Sequence, residues 1–108
     1  MINETTLLRN LKDVAKKIMP KGSQVWLYGS RARGEAREGS DWDILILLDK
    51  DEVEYDDFGK VAYPIEMAGW DFNAEITPII YTKKEWHDKH LTPFFQNVQR
   101  DKITIYES

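Results

Sequence analysis

The stretch LYGSRARGEAREGSDWDILILLD, Leu27 to Asp49, decides the fold of this chain. QVWLY, ending at Tyr28, reads as a short strand stopped by Gly29. Residues 30–34 form a tight turn leading into a short helix, and the polar, glycine-containing residues 35–40 read as a loop. WDILILL is a nearly continuous apolar run, which fits a central strand covered on both faces. Side chains two apart on a strand point the same way, so Asp41 and Asp43 project together from its start. Two such carboxylates repel each other unless a cation sits between them. Mg²⁺ suits them, because it takes oxygen ligands and completes its shell with phosphate oxygens and water. A lone Asp-x-Asp is ordinarily a capped turn with a solvated neighbour. Here Asp43 is embedded in a run that looks buried, where an unpaired carboxylate is expensive.

Gly29-Ser30 lies at the other end of the loop. Glycine lets a ligand approach the backbone closely. A helix starting at Ser30 would turn its free N–H groups toward an anion, and the serine hydroxyl adds a donor. Arg31 and Arg33 can pair with phosphate oxygens through charge-assisted hydrogen bonds. A Gly-Ser pair alone is an ordinary strand-ending turn. Its join to Asp-x-Asp points to a metal-bound nucleoside triphosphate.

Outward from this stretch, Leu7, Leu8, Leu11, Val14, Ala15 and Ile18 make one apolar stripe, which predicts a helix over 4–19. Asn3 or Thr5 can cap it, and Pro20 and Gly22 end it. Residues 50–57 are acidic and read as solvent-exposed. Residues 58–69 allow a helix, with Pro64 kinking or interrupting it and Gly69 as its stop. AEITPIIY reads as a third strand, with Pro78 favouring an edge or a bulge. Thr82 and Glu85 match a capping box, Thr92-Pro93 starts a further helix, and Ile103 and Ile105 begin a short last strand. The resulting order, α-β-(α)-β-α-β-α-α-β, predicts an α/β (α+β) fold: a small mixed β-sheet packed with α-helices.

Composition narrows the class of function. The 108 residues predict a single domain, 1–108, with one modest core. There is no Cys, so disulfides and thiolate metal sites are excluded. No apolar run approaches the ~20 residues that cross a bilayer, and the N-terminal stretch has no signal-peptide core, so a cytoplasmic location is expected. A net charge of -4 argues against general nucleic-acid binding. Trp26, Trp42, Trp70 and Trp86 read as packing anchors, one of which, or Tyr81, can stack on a base. Phe94-Phe95 is either core or a patch that meets a partner, and His87 and His90 read as surface residues.

Gly29-Ser30, the loop with Arg31, Arg33 and Gly34, then Ser40-Asp41-Trp42-Asp43 before an aliphatic strand, resembles the DNA-polymerase-β-type nucleotidyltransferase superfamily. Within it the chain is most similar to the minimal nucleotidyltransferase (MNT) family, often paired with HEPN-domain partners in toxin–antitoxin modules. The leading helix, the third strand and the closing PFFQNVQRDKITIYES resemble that family more loosely. The resemblance implies a third carboxylate on an adjacent strand. Glu75 is the best match, where the family usually has Asp; Asp71 is the fallback and Glu66 a poorer one. It implies Mg²⁺, held by Asp41, Asp43 and Glu75 in a two-ion arrangement, and phosphates held by Gly29, Ser30 and Arg33. ATP or another NTP would give up its nucleoside monophosphate to a protein or RNA hydroxyl. A HEPN-like protein is the first candidate partner, and a homo-oligomer is compatible with so small a chain. Two non-enzymatic readings stay open: an antitoxin acting by complexation, and an NTP sensor.

Overall fold

The computed structural model describes residues 4–108. Its elements follow the order read from the sequence: α1 (Glu4–Ile18), β1 (Gln24–Tyr28), α2 (Ser30–Arg33), β2 (Trp42–Leu48), α3 (Tyr55–Asp57), a π-helical turn (Phe58–Ala62), α4 (Tyr63–Trp70), β3 (Ile76–Thr82), α5 (Lys83–Asp88), α6 (Pro93–Asp101) and β4 (Ile103–Glu107). Asn3, one of the two expected caps of α1, lies outside the described residues.

The strands form one mixed sheet in the order β3-β2-β1-β4. β1 runs antiparallel to both β2 and β4, and β2 runs parallel to β3. β2 is therefore central, and alternate side chains enter two separate cores. Trp42, Ile44, Ile46 and Leu48 pack under α1 and α4 with Leu7, Leu11, Ala15 and Ile65. Leu45 and Leu47 face the other way, into a cluster with Trp26, Tyr28, Trp86 and Val98. Burial on both sides is why β2 reads as a continuous apolar run rather than an alternating one. Pro78 sits on the edge strand β3, where its missing N–H costs no ladder bond to a further strand.

The helix ends use the chemistry expected of them. Thr82 Oγ1 accepts from Glu85 N at 3.0 Å, and Thr82 N donates to Glu85 Oε1 at 2.8 Å. Thr92 Oγ1 accepts from Phe95 N at 3.2 Å, with Pro93 opening α6. Pro64 does interrupt the α pattern, but the rod does not break. The π turn ahead of it, in which Tyr63 N–H bonds the Phe58 carbonyl, widens the backbone where the proline ring would meet the Lys60 carbonyl.

Three expectations are corrected. Gly69 is not a stop: it is buried inside α4, and a Cβ there would meet the Ala74 carbonyl oxygen at 2.7 Å and Ile76 Cδ1 at 2.8 Å. Its role is close approach of α4 to the head of β3. Asp57 is buried rather than solvated: it accepts from Glu54 N at 2.7 Å and Lys50 Nζ at 3.0 Å. Burial works to raise the Asp57 carboxyl, but the Glu54 N–H and the Lys50 ammonium outweigh it and hold it below its usual range. Trp70 is 58% exposed and anchors nothing in the core.

Gly69→Ala separates helix propensity from packing. Propensity alone favours Ala in a helix by roughly 1 kcal/mol. The collision with the Ala74 carbonyl and the Ile76 side chain outweighs it, so the variant is expected to lose about 1–3 kcal/mol of stability in a urea titration. A gain in stability would show that α4 and β3 do not meet as described.

Candidate active site

The loop between β1 and β2 returns the chain so that Tyr28 lies directly across from Asp43. Gly29 follows, with φ 75° and ψ -158°. Only glycine occupies that region without strain. Space imposes the same choice: a Cβ on Gly29 would run into Oδ2 of Asp43 and lie 3.3 Å from its Cγ. The Asp43 carboxylate thus rests on the Gly29 backbone, and the two sequence motifs are one piece of structure. Ser30 opens α2, which closes after one turn at Gly34 with Glu35 N–H on the Ser30 carbonyl at 2.9 Å.

Asp41 is exposed, just ahead of β2, and Asp43 is half-buried on it. Strand parity puts both on the sheet face that carries Tyr28 and Leu45. Thr77 is the parallel partner of Asp43 across β3, and Ile76 that of Trp42. The Trp42 N–H donates to the Glu75 carbonyl at 2.8 Å, extending the ladder one step. Glu75 therefore lies level with Asp41, at the parity of the face bearing both aspartates. Glu75 also lines a shallow depression with Glu66, Trp70 and Asn73 that includes neither aspartate. Asp71, the fallback carboxylate, is exposed just beyond α4 and lies outside that depression. Among the described residues, no three His, Cys, Asp or Glu side chains are gathered tightly enough to hold a metal ion unaided.

Charge is uneven here. Burial pushes the Asp43 carboxyl above its ordinary range, Asp41 pushes it further, and the Arg33 guanidinium pulls it back. The Tyr28 phenol is pushed up to about 12 by burial, then by Asp43 and Tyr81. The site has an excess of negative charge facing limited solvent, which a divalent cation relieves. Two carboxylates on one face, one of them disfavoured in its charged form, are a donor set that fits Mg²⁺ with phosphate oxygens and water completing its shell.

The two arginines of the motif part company. Arg31 is a structural clamp: it donates to the Ser40 carbonyl at 2.8 Å, pairs with Glu4 at 2.6 Å, and lies 4.7 Å over the Trp42 ring. It fastens the loop and α1 to the start of β2, and is not free for a phosphate. Arg33 is more open, 3.7 Å from Asp101 and 3.6 Å from Glu35. Asp101, at the end of α6, also takes two hydrogen bonds from Arg100, at 2.9 and 3.1 Å. Those bonds, against an opposing burial and with help from Arg33, hold its carboxyl below its usual range.

Sequence reasoning missed Tyr28, Thr77 and Asp101. Tyr28 was detectable from its place beside Gly29. Thr77 required the β2–β3 register, and Asp101 reaches the site only through the folding back of α6.

The family model described as Nucleotidyltransferase domain matches residues 8–104. A search of curated proteins returns no match. Among solved structures, the chain is similar to a toxin–antitoxin complex with AMP-PNP, at TM-score 0.65 and 15% identity, over 94% of this chain and 73% of that one. It is similar to a protein of Sulfolobus solfataricus assigned as a nucleotidyltransferase, at TM-score 0.62 and 21% identity, over 96% and 83% of the two chains. It is also similar to a complex of tri-AMPylated Shewanella oneidensis HEPN toxin with its MNT antitoxin, at TM-score 0.62 and 12% identity, over 98% and 74%. At these identities the likeness shows a shared fold.

Two variants test the geometry. Gly29→Ala is expected to lose about 1–3 kcal/mol in denaturant titration, the scale of a residue forced into a glycine-only conformation, and to weaken Mg²⁺-dependent nucleotide binding by displacing Asp43. Asp43→Asn acts oppositely on stability. The folded pKa of Asp43 is raised, so its contribution is favourable at low pH and lost as pH rises through the raised value. At neutral pH, without metal, Asp43→Asn is expected to melt a few degrees higher than the parent in a thermal scan and to lose the added stabilisation by Mg²⁺ and ATP. A lower melting temperature would contradict the crowded-charge account.

Proposed function

The chain belongs to the nucleotidyltransferase domain family, and from that premise we propose that it moves a nucleoside monophosphate, AMP first, from an NTP to a protein hydroxyl. The observation that carries this reading is the seating of Asp43 on Gly29, which joins a carboxylate pair to a serine turn. Asp41 and Asp43 hold Mg²⁺, which when bound neutralises the triphosphate and polarises the reacting phosphoryl group. Ser30 and Arg33, beside Gly29, take the β- and γ-phosphate oxygens, with Arg33 leaving Asp101 and Glu35 to do so. The acceptor oxygen bonds to the α-phosphorus, the bond from that phosphorus to pyrophosphate breaks, and Glu75, level with Asp41, receives the hydroxyl proton.

A similar structure in which an MNT antitoxin accompanies an AMPylated HEPN toxin supports a HEPN-like protein as the acceptor, with RNA second. NTP supply favours the cytoplasm, and no helix among the described residues is long and apolar enough to cross a membrane. One observation favours a second reading, a non-catalytic antitoxin or NTP sensor: Glu75 shares its depression with Glu66 and Trp70, not with the aspartates.

The test is transfer of label from α-labelled NTPs, with Mg²⁺, to a lysate of the source cell. Labelled protein is expected with ATP, reduced more than about 100-fold by Asp43→Asn, the scale of lost electrostatic stabilisation of a transition state, and abolished by EDTA. Label persisting in Asp43→Asn would overturn the site assignment. Nucleotide binding without transfer would select the second reading.

A further inference from the structure

The rod from Tyr55 to Trp70 has two faces, and both are apolar. Val61, Ala62, Ile65, Ala68 and Gly69 are buried against the sheet and α1. On the outside, Tyr55 is 90% exposed, Phe58 55%, Tyr63 48%, Met67 42% and Trp70 58%. The intervals 55–58, 63–67 and 67–70 are ordinary helical spacings for one face. The interval 58–63 would break the line in an α-helix. The π turn repairs it, because the bond from Tyr63 N–H to the Phe58 carbonyl stacks those two residues. The five side chains thus run in one row, about 24 Å long at helical rise, with Tyr63 and Trp70 in edge contact at 5.9 Å between ring centroids. A helix that is apolar all round is ordinarily covered on all sides, and a row this large on one surface marks a contact site.

The charges bordering the row say what covers it. Asp56, Glu66, Asp71 and Glu75 lie beside or beyond it, with Lys60 as the cation on the rod, while Glu54 at its start is paired with Lys50 at 3.0 Å. A second copy of this chain would bring the same acidic border against itself. Trp70, at the end of the row, shares its depression with Glu75, which lies level with Asp41. We propose that this row docks an amphipathic helix with basic flanks, belonging to the protein that accepts the nucleotide, and so delivers the acceptor hydroxyl to the carboxylate end of the sheet. The docking claim stands on the row and its charges; the acceptor claim rests on the transferase reading above.

Two measurements keep those claims apart. The first needs no activity: acrylamide quenching of Trp70 fluorescence, with a synthetic amphipathic helix carrying a leucine face and lysine flanks, or its leucine–glutamate counterpart. Trp26, Trp42 and Trp86 are buried, so Trp70 dominates the quenched fraction. Protection by the lysine peptide alone, lost in Glu66→Lys/Asp71→Lys, is expected. Protection by both peptides, by neither, or by raising the concentration of the chain alone (a second copy) would overturn the docking surface. The second measurement is labelling of the acceptor by Met67→Ser/Trp70→Ser, two exposed positions whose change leaves the core intact. ATP binding is expected to stay within twofold of the parent, while labelling falls at least about tenfold, the scale of losing an interface anchor. Unchanged labelling would overturn the acceptor claim. Absence of labelling by the parent itself would overturn the transferase reading and with it the acceptor claim, leaving the quenching result to decide the docking surface.

Discussion

The contact between the Asp43 carboxylate and the Gly29 backbone holds the site together. It follows from a single register choice, Tyr28 opposite Asp43, in the antiparallel pair of β1 and β2. Given that register, any side chain at position 29 would occupy the volume the carboxylate fills. The left-handed backbone at Gly29 then turns the chain into α2, and α2 sets Arg33 close enough to act on Asp43 electrostatically. A slip of one residue would carry Asp43 into the core under α1 and expose Trp42 in its place, because strand parity is strict. The hydrophobic demand of two cores therefore fixes the position of a charged group.

Charge at the site is balanced by elements distant in sequence. Asp41 and burial disfavour the ionised form of Asp43, and Arg33 offsets them. Arg33 is in turn held between Glu35 and Asp101, while Arg100 grips Asp101 from its other side. In the proposed function, a triphosphate at Gly29-Ser30 would compete with two carboxylates for that guanidinium. Arg31, one turn-position away, is withdrawn from the competition by its bonds to Ser40 and Glu4 and by the Trp42 ring. The two arginines of one motif are thus placed differently, Arg31 clamped and Arg33 more open.

Much of this was legible in the residues. The strand ends at Tyr28 and Trp42, the caps at Thr82 and Thr92, and the edge position of Pro78 each follow from local chemistry that nothing distant overrides. What failed to read depended on packing between elements. Gly69 looks like a helix stop because the close approach of Ala74 and Ile76 has no local mark. Asp57 looks solvated within an acidic run until its bonds to Lys50 and Glu54 are seen. Trp70 looks like core because tryptophan is large and apolar, and only the sheet's position shows that it faces outward. For the site, the aspartate pair and Gly29-Ser30 were readable as a unit, whereas the place of Glu75 depends on a parallel register that spacing does not encode.

The π turn at Phe58–Ala62 also lets the rod carry one residue more than an α-helix with the same two faces would. Rewinding those residues as ordinary α-helix, with none removed, would rotate everything ahead of the turn by about 100° relative to α4. Tyr55 and Phe58 would leave the line of Tyr63, Met67 and Trp70, and the buried Asp57 cap would swing away from Lys50. One extra residue in the backbone acts as a phase key, keeping the inward and outward faces of a broken-period helix in step across a proline.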